Sequence, residues 1–374
     1  MILGVSAEQE ELRASVRRFL ADRAPLSRVR ALMDGGETDW AVWEQAGTQL
    51  GLQGLAIPES YGGAGFSFAE QAVVLEEFGA ALYGGPYLAS AILAATALLA
   101  SPDEGARRGL LPDIASGQTV ATLAFTEDGG SWDPAAIRLS AVKDDPGVNG
   151  AWRLDGHKSF VLDGATAGLI LVVATTDAGL SLFAVEGDAA GLGRAALPAL
   201  DQTRQLARLE FAGVTGRLIG SPGDGAAALD RALDVAAVAL AAEQLGGAQR
   251  ALDMAVEYAK VRRQFDRPIG SFQAIKHRCA DLLLEVESLR SAVGYAAAAV
   301  AEDSAEIPVL ASLVKAYASE TYFHVAAENI QIHGGIGFTW EHDAHLYFKR
   351  AKASELFLGD GAYHRERLAN RIGL

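Results

Sequence analysis

Two stretches of the chain hold residue types that could grip a phosphorylated, aromatic ligand. The first is Arg262-Arg263-Gln264-Phe265-Asp266-Arg267-Pro268-Ile269-Gly270-Ser271-Phe272-Gln273, at the junction of two helical patterns. It sets a guanidinium fork, Arg262, three residues ahead of a flat ring, Phe265. It closes on an amide, Gln273, across a turn fixed by Pro268 and Gly270. A guanidinium can bind a pyrophosphate through two parallel hydrogen bonds, and a ring with an amide suits adenine or ribose. An isolated R-x-x-F would sooner be read as a helix hairpin with an exposed arginine. The second stretch is Gln331-Ile332-His333-Gly334-Gly335-Ile336-Gly337-Phe338. Its glycines let backbone amides approach a ligand closely, although the same residues would serve as a helix C-cap and turn.

The elements that must carry these residues fall into three regions. At 374 residues the chain exceeds one ordinary core, so two or three domains are expected. Ser6-Ala7-Glu8-Gln9 is a capping box that opens a helix over 6–19, with Leu12, Val16, Phe19 and Leu20 on one face. Further helices are expected at Trp40–Leu50, ending at Gly51, and at Ser67–Gly79 and Tyr87–Leu99, with a loop at Pro58–Gly63. Residues 1–117 thus read as a helical domain. From 118 to 222 the texture changes to short β-branched and aromatic runs: Thr119–Phe125, Trp152–Leu154, Leu169–Ala174, Leu180–Val185 and Ala207–Phe211. Gly, Pro and Asp punctuate them, as in an antiparallel sheet or barrel, with turns at Asp144-Asp145-Pro146-Gly147 and Asn149-Gly150. Residues 223–374 return to helices over 226–263, 272–302, 309–332 and 343–358, with a short one from Ala362, the pattern of an antiparallel bundle.

The formal charge of −15 repels phosphate backbones, so nucleic acid is not an expected partner. The lone Cys279 excludes an internal disulfide framework and a cysteine zinc site, and it reads as a small core residue. No apolar run long enough to span a membrane stands out, and no secretory signal, which makes cytoplasm the default compartment. His333, His342, His345 and His364 match no metal-ligand spacing, and His364-Arg365-Glu366-Arg367 reads as a solvated helix start.

Taken in order, with Gln273 and Gln331 58 residues apart, the two motifs resemble those of the acyl-CoA dehydrogenase family. Its R-x-x-F-G-x-x-I-x-x-x-Q and Q-x-x-G-G-x-G-F patterns match here, except that Asp266 replaces the glycine after phenylalanine. Phe125-Thr126-Glu127-Asp128-Gly129-Gly130 resembles the family's T-E-x-G segment, and Gly156–Gly164 its G-x-K-x-W-I-T-N-G strand. The resemblance covers nearly the whole chain. It implies a mainly α protein with an N-terminal helical domain, a middle β-barrel and a C-terminal four-helix bundle. It also implies FAD as cofactor, an acyl-CoA substrate, and electrons passed to an electron-transferring flavoprotein. Such chains act in fatty-acid or sterol side-chain degradation as tetramers. On the same footing, Arg262, Phe265, Gln273, Gln331, Gly334 and Gly335 would serve the adenine half of an FAD held mainly by a neighbouring subunit. Thr126 would touch the flavin ring and Phe160 would cover one of its faces. Leu162 stands where the family has a threonine facing the flavin.

Acyl-CoA dehydrogenation removes a proton from Cα while a hydride leaves Cβ, so a carboxylate must reach Cα–H. The family's two usual glutamate positions fall on Leu358 and Ala236. Three alternatives stay open. Asp360, in the flexible turn Gly359-Asp360-Gly361, is one base candidate, unless it only caps the helix from Ala362. Glu243, two turns along the same helix face from Ala236, is another, unless it makes a structural hydrogen bond. The third is that the chain is the non-catalytic partner in a heterotetramer, as in some actinobacterial members, rather than a homotetramer subunit. A family-fold flavin oxygenase or oxidase would need neither carboxylate. Ala236, Ala237 and Ala239 are all small and leave room for a bulky or long acyl chain.

Overall fold

The computed structural model describes residues 6–35, 38–143 and 151–374; the turn signals at 144–147 and 149–150 lie outside them. The chain opens on α1 (Ala7–Arg23), α2 (Leu26–Gly35), α3 (Trp40–Leu50) and α4 (Phe68–Ala80). A buried π-helix, Leu88–Ala94, then runs into α5 (Ala95–Ala100), followed by α6 (Glu104–Ala115). The capping box forms as expected: Gln9 N donates to Ser6 Oγ at 3.2 Å and Ser6 N to Gln9 Oε1 at 3.0 Å. Gly51, at φ 64°, ends α3 in the left-handed conformation that glycine adopts without strain.

The middle region folds as β1 (Ala121–Ala124), β2 (Ser140–Lys143), β3 (Trp152–Leu162), β4 (Leu169–Thr176), β5 (Gly179–Glu186), β6 (Leu192–Leu197) and β7 (Leu206–Ile219). Pairing runs β4-β2-β3-β7-β5 and returns to β4 through β4–β5, so the sheet closes into a barrel. The expected all-antiparallel pattern needs correction, since β1 and β2 both pair with β4 in parallel. Alternating Leu154, Val172, Phe183, Leu209 and Val214 fill its interior, each essentially inaccessible. The barrel's longest ladder, β3 with β7, shifts register between Lys158 and Val161. Such a bulge re-aims the side chains it carries.

The C-terminal region consists of α7 (Gly225–Val261), α8 (Gln273–Ala301), α9 (Ile307–His333), α10 (Ala344–Leu356) and α11 (Gly361–Ile372). Two compact units result, 1–33 with 68–83 and 237–374, and 34–67 with 84–236. Within the first, α4 crosses α7 at glycine. A Cβ on Gly79 would lie 1.8 Å from the Glu243 carbonyl oxygen, and one on Gly246 1.7 Å from that of Glu76. Among the described residues no helix is long and apolar enough to cross a membrane.

Candidate functional site

α7 ends at Val261, and the chain then turns through a tight hairpin instead of continuing as helix. Arg263–Gln264 pairs with Arg267–Pro268, leaving Phe265 and Asp266 as the two turn residues, at φ 52° and 61°. A two-residue hairpin with positive φ at both centres matches strand twist but favours Asn and Gly. Phe265 and Asp266 therefore hold a conformation costly for L-residues. The turn is braced by the Arg263 guanidinium, which donates to the Asp266 carbonyl, and by Arg267, stacked 3.9 Å above the Phe272 ring. The Phe265 ring meets Phe272 edge-on at 6.1 Å and is otherwise 85% exposed.

The two motifs meet on one apolar base. Ala255 and Ala259 of α7 and Ile332 of α9 form a buried cluster, with Tyr258, Ile269, Ile275 and Cys279 packed around it. Ile269 and Ile275 flank Gln273, and Ile332 follows Gln331, so the cluster fixes both motifs while their polar residues face outward. Arg262, Phe265, Gln273, Gln331, Gly334 and Gly335 are all exposed. The three glycines of the second motif differ in what they do. Gly334 takes φ 65° at the end of α9, and Gly337 packs so closely that a Cβ would sit 3.0 Å from His333 Cβ. A Cβ on Gly335 would meet nothing within 4 Å, so no group among the described residues requires glycine there. Cys279 is half-buried rather than a core residue, and burial pushes its thiol pKa up.

In the barrel, Thr126 and Phe160 come together where the end of the β1 segment meets the β3 bulge. Ser159 N donates to Thr126 O at 2.9 Å, and the Thr126 hydroxyl donates back to Ser159 O at 2.5 Å. Thr126 is buried, whereas Phe160 sits on the bulge at φ 57° with its ring partly exposed. Beneath them lies an ion pair that sequence reasoning missed. Lys158 is inaccessible, its Nζ donating to Phe125 O at 3.1 Å and to Glu127 Oε1 at 3.0 Å. Burial pulls its pKa down to about 8, against the pull of Glu127. Burial opposes charge on Glu127 too, but the Leu139 and Arg138 amides and Lys158 outweigh it and hold that carboxyl low. The lysine and glutamate of the two matched motifs were the available signal; that they face each other depends on the barrel.

Leu162 is buried, 3% exposed, and its carbonyl accepts from Thr122 Oγ1 at 2.6 Å. Asp163 follows at φ 51°, buried, with Oδ1 lacking a hydrogen-bond partner; desolvation, opposed by Arg204, raises its pKa to about 7.

The two base candidates both hold structural posts. Glu243 is buried on α7, and Arg350 Nη1, itself buried on α10, donates to its Oε1 at 2.7 Å. Asp360 is half-buried and caps α11, accepting from Tyr363 N at 2.8 Å. The turn around it is held at several points, not loose as its glycines suggested. His364 Nε2 donates to Leu358 O at 3.0 Å, and the buried Lys315 Nζ donates to Glu355 O at 3.2 Å and Gly359 O at 3.0 Å. His364 is correspondingly buried, against the solvated position expected for it, and desolvation with Lys315 nearby drops its pKa to about 3. Leu358 and Ala236, at the two usual base positions, are both buried. His342 and His345 are half-buried near Asp343, Arg30 and Trp340, and among the described residues no cluster could hold a metal ion.

The chain matches three family models: acyl-CoA dehydrogenase N-terminal domain over residues 6–118, middle domain over 122–214 and C-terminal domain over 223–373. It is 37% identical over 353 residues to acyl-CoA dehydrogenase IpdE2 of Mycobacterium tuberculosis, covering 94% of this chain and 93% of that one. Among solved structures it resembles the ChsE4-ChsE5 complex from Mycobacterium tuberculosis, at TM-score 0.89 and 30% identity, over 100% of this chain and 99% of that one. A variant of the Tcur3481-Tcur3483 steroid ACAD is similar at TM-score 0.88 and 34% identity, over 99% of both chains.

Proposed function

The chain belongs to the acyl-CoA dehydrogenase family of oxidoreductases, and from that membership we propose that it holds FAD for the α,β-desaturation of an acyl-CoA thioester. The observation that carries this reading is the outward-facing set of Arg262, Phe265, Gln273, Gln331, Gly334 and Gly335 on one apolar base. A guanidinium, an amide and an open Gly-Gly turn fit a pyrophosphate and an adenosine. Residues left exposed among the described residues suit a cofactor reaching in from a neighbouring subunit, which would make assembly part of binding. At the ring half, Thr126 is held to Ser159 through its carbonyl and its hydroxyl, which fixes the backbone beside the bulge, and Phe160, aimed outward by that bulge, would shield a face of the ring from water. When bound at these residues, FAD would supply the hydride acceptor, with an electron-transferring flavoprotein as the proposed electron acceptor.

The proton is the step this chain does not provide for. Glu243 is committed to Arg350, Asp360 caps a helix, and the usual positions hold Ala236 and Leu358. We therefore assign the base to a related subunit and the chain to one half of a heterotetramer. Its likeness to two assemblies named as protein pairs supports that arrangement. A second reading keeps Asp360 as base, favoured by its half-buried position one residue past Gly359. The small Ala236, Ala237 and Ala239, together with a steroid ACAD among the similar structures, support a bulky acyl group.

Purification alone and with co-expressed family partners tests the reading. Flavin absorbance that is weak for the lone chain and strong for the pair is expected. Stoichiometric FAD on a lone chain that reduces with acyl-CoA would defeat the division of labour.

A further inference from the structure

We propose that His333 is a positioning residue for this cofactor site, acting through a ring stack, Tyr258–His333–His342, that sets where the Gln331–Gly335 turn stands beside Arg262. The inference rests on the FAD reading and adds a residue that the matched motifs leave unspecified.

His333 is the last residue of α9, directly before Gly334, and its ring is buried. Tyr258 covers one side, with ring centroids 4.3 Å apart and planes at 27°; His342 lies against it as well, at 4.3 Å and 51°. Tyr258 is a turn ahead of Arg262, whose amide donates to the Tyr258 carbonyl at 2.8 Å. The tyrosine ring and the arginine are therefore placed by the same helical turn. His333 Nδ1 lies 2.8 Å from Asn329 O, so that nitrogen carries the proton and the ring's rotation is fixed. Gly337 closes the motif from the far side, folding the Gly334–Phe338 turn back onto His333 Cβ.

The stack thus has one ring on each of three segments: the end of α7, the end of α9 and the loop before α10. Ala255, Ala259 and Ile332 already bury apolar area between α7 and α9, but aliphatic contacts leave lateral position soft. Offset ring contacts prefer defined geometry and add to area burial. Burial, with His342 beside it, also lowers the pKa of His333, consistent with a neutral ring stacked between aromatic neighbours. Buried, and in ring contact with Tyr258 and His342, His333 acts through the turn it precedes.

The test is FAD titration of the full-length chain, in the assembly that carries flavin, for wild type, His333→Ala and His333→Phe at neutral pH. Thermal melts accompany each titration. Loss of two ring contacts predicts FAD binding weakened about tenfold in His333→Ala. His333→Phe keeps a ring in the stack and is expected to restore binding to within about threefold of wild type. Wild-type affinity in His333→Ala would overturn the inference. So would His333→Phe binding as weakly as His333→Ala while melting like wild type. A wild-type assembly that binds no FAD would sink the cofactor reading itself, and this inference with it.

Discussion

Glu243 and Asp360 show why a carboxylate's neighbours decide its role. Glu243 sits buried against Arg350, and removing one member of such a pair strands the other's charge, at about 3–5 kcal/mol. Glu243→Ala should lower stability by that order in urea titration. A variant of unchanged stability that no longer reduces its flavin would instead mark Glu243 as the base. The readings of Asp360 as a helix cap and of Glu243 as a structural hydrogen bond were both legible as alternatives. Arg350 was not, because it lies 107 residues from Glu243 in sequence. Asp163 gives a pH test. Its folded pKa is raised to about 7, so its contribution to stability is complete below the unfolded value, about 4, and is lost as pH rises toward 7. The melting advantage of Asp163→Asn over wild type should therefore grow between about pH 4 and pH 7 and then level off. An advantage independent of pH would contradict the protonated, buried carboxyl.

At the scale of elements, the hairpin after α7 is where local preference and structure disagree. The family's glycine would take the left-handed turn freely, and Asp266 takes it at φ 61°. Asp266→Gly should stabilise the protein by up to about 1 kcal/mol, read as a higher melting temperature. A fall in melting temperature would mean that the Asp266 side chain supports the turn. The long helices were readable because capping and period agree over many turns, and α7, α8 and α9 fall within two residues of expectation. β2 and β6 were missed, being short, largely exposed runs whose partners lie elsewhere in the chain. The parallel pairing of β1 with β4 joins strands about 45 residues apart, and no local residue signals it. The π-helix at Leu88–Ala94 was equally hidden, since an apolar run reads the same at either helical pitch.

At the scale of the whole molecule, the motifs needed no structure to be found, but their meaning did. The structure adds that Arg262, Phe265, Gln273 and the Gly334-Gly335 turn are exposed on a built apolar base, and that Glu243 and Asp360 are already engaged. On the proposed reading, the chain completes a cofactor site in an assembly and leaves proton abstraction to another subunit. Anaerobic reduction of the bound flavin by an acyl-CoA, in the co-expressed assembly with and without Asp360→Asn, decides between the two. Bleaching at an unchanged rate, within about threefold, is expected, because Asn caps a helix about as well as Asp and can still accept from Tyr363 N. Bleaching slowed a hundredfold or more, with flavin still bound, is on the order expected for a lost general base and would return the proton step to this chain.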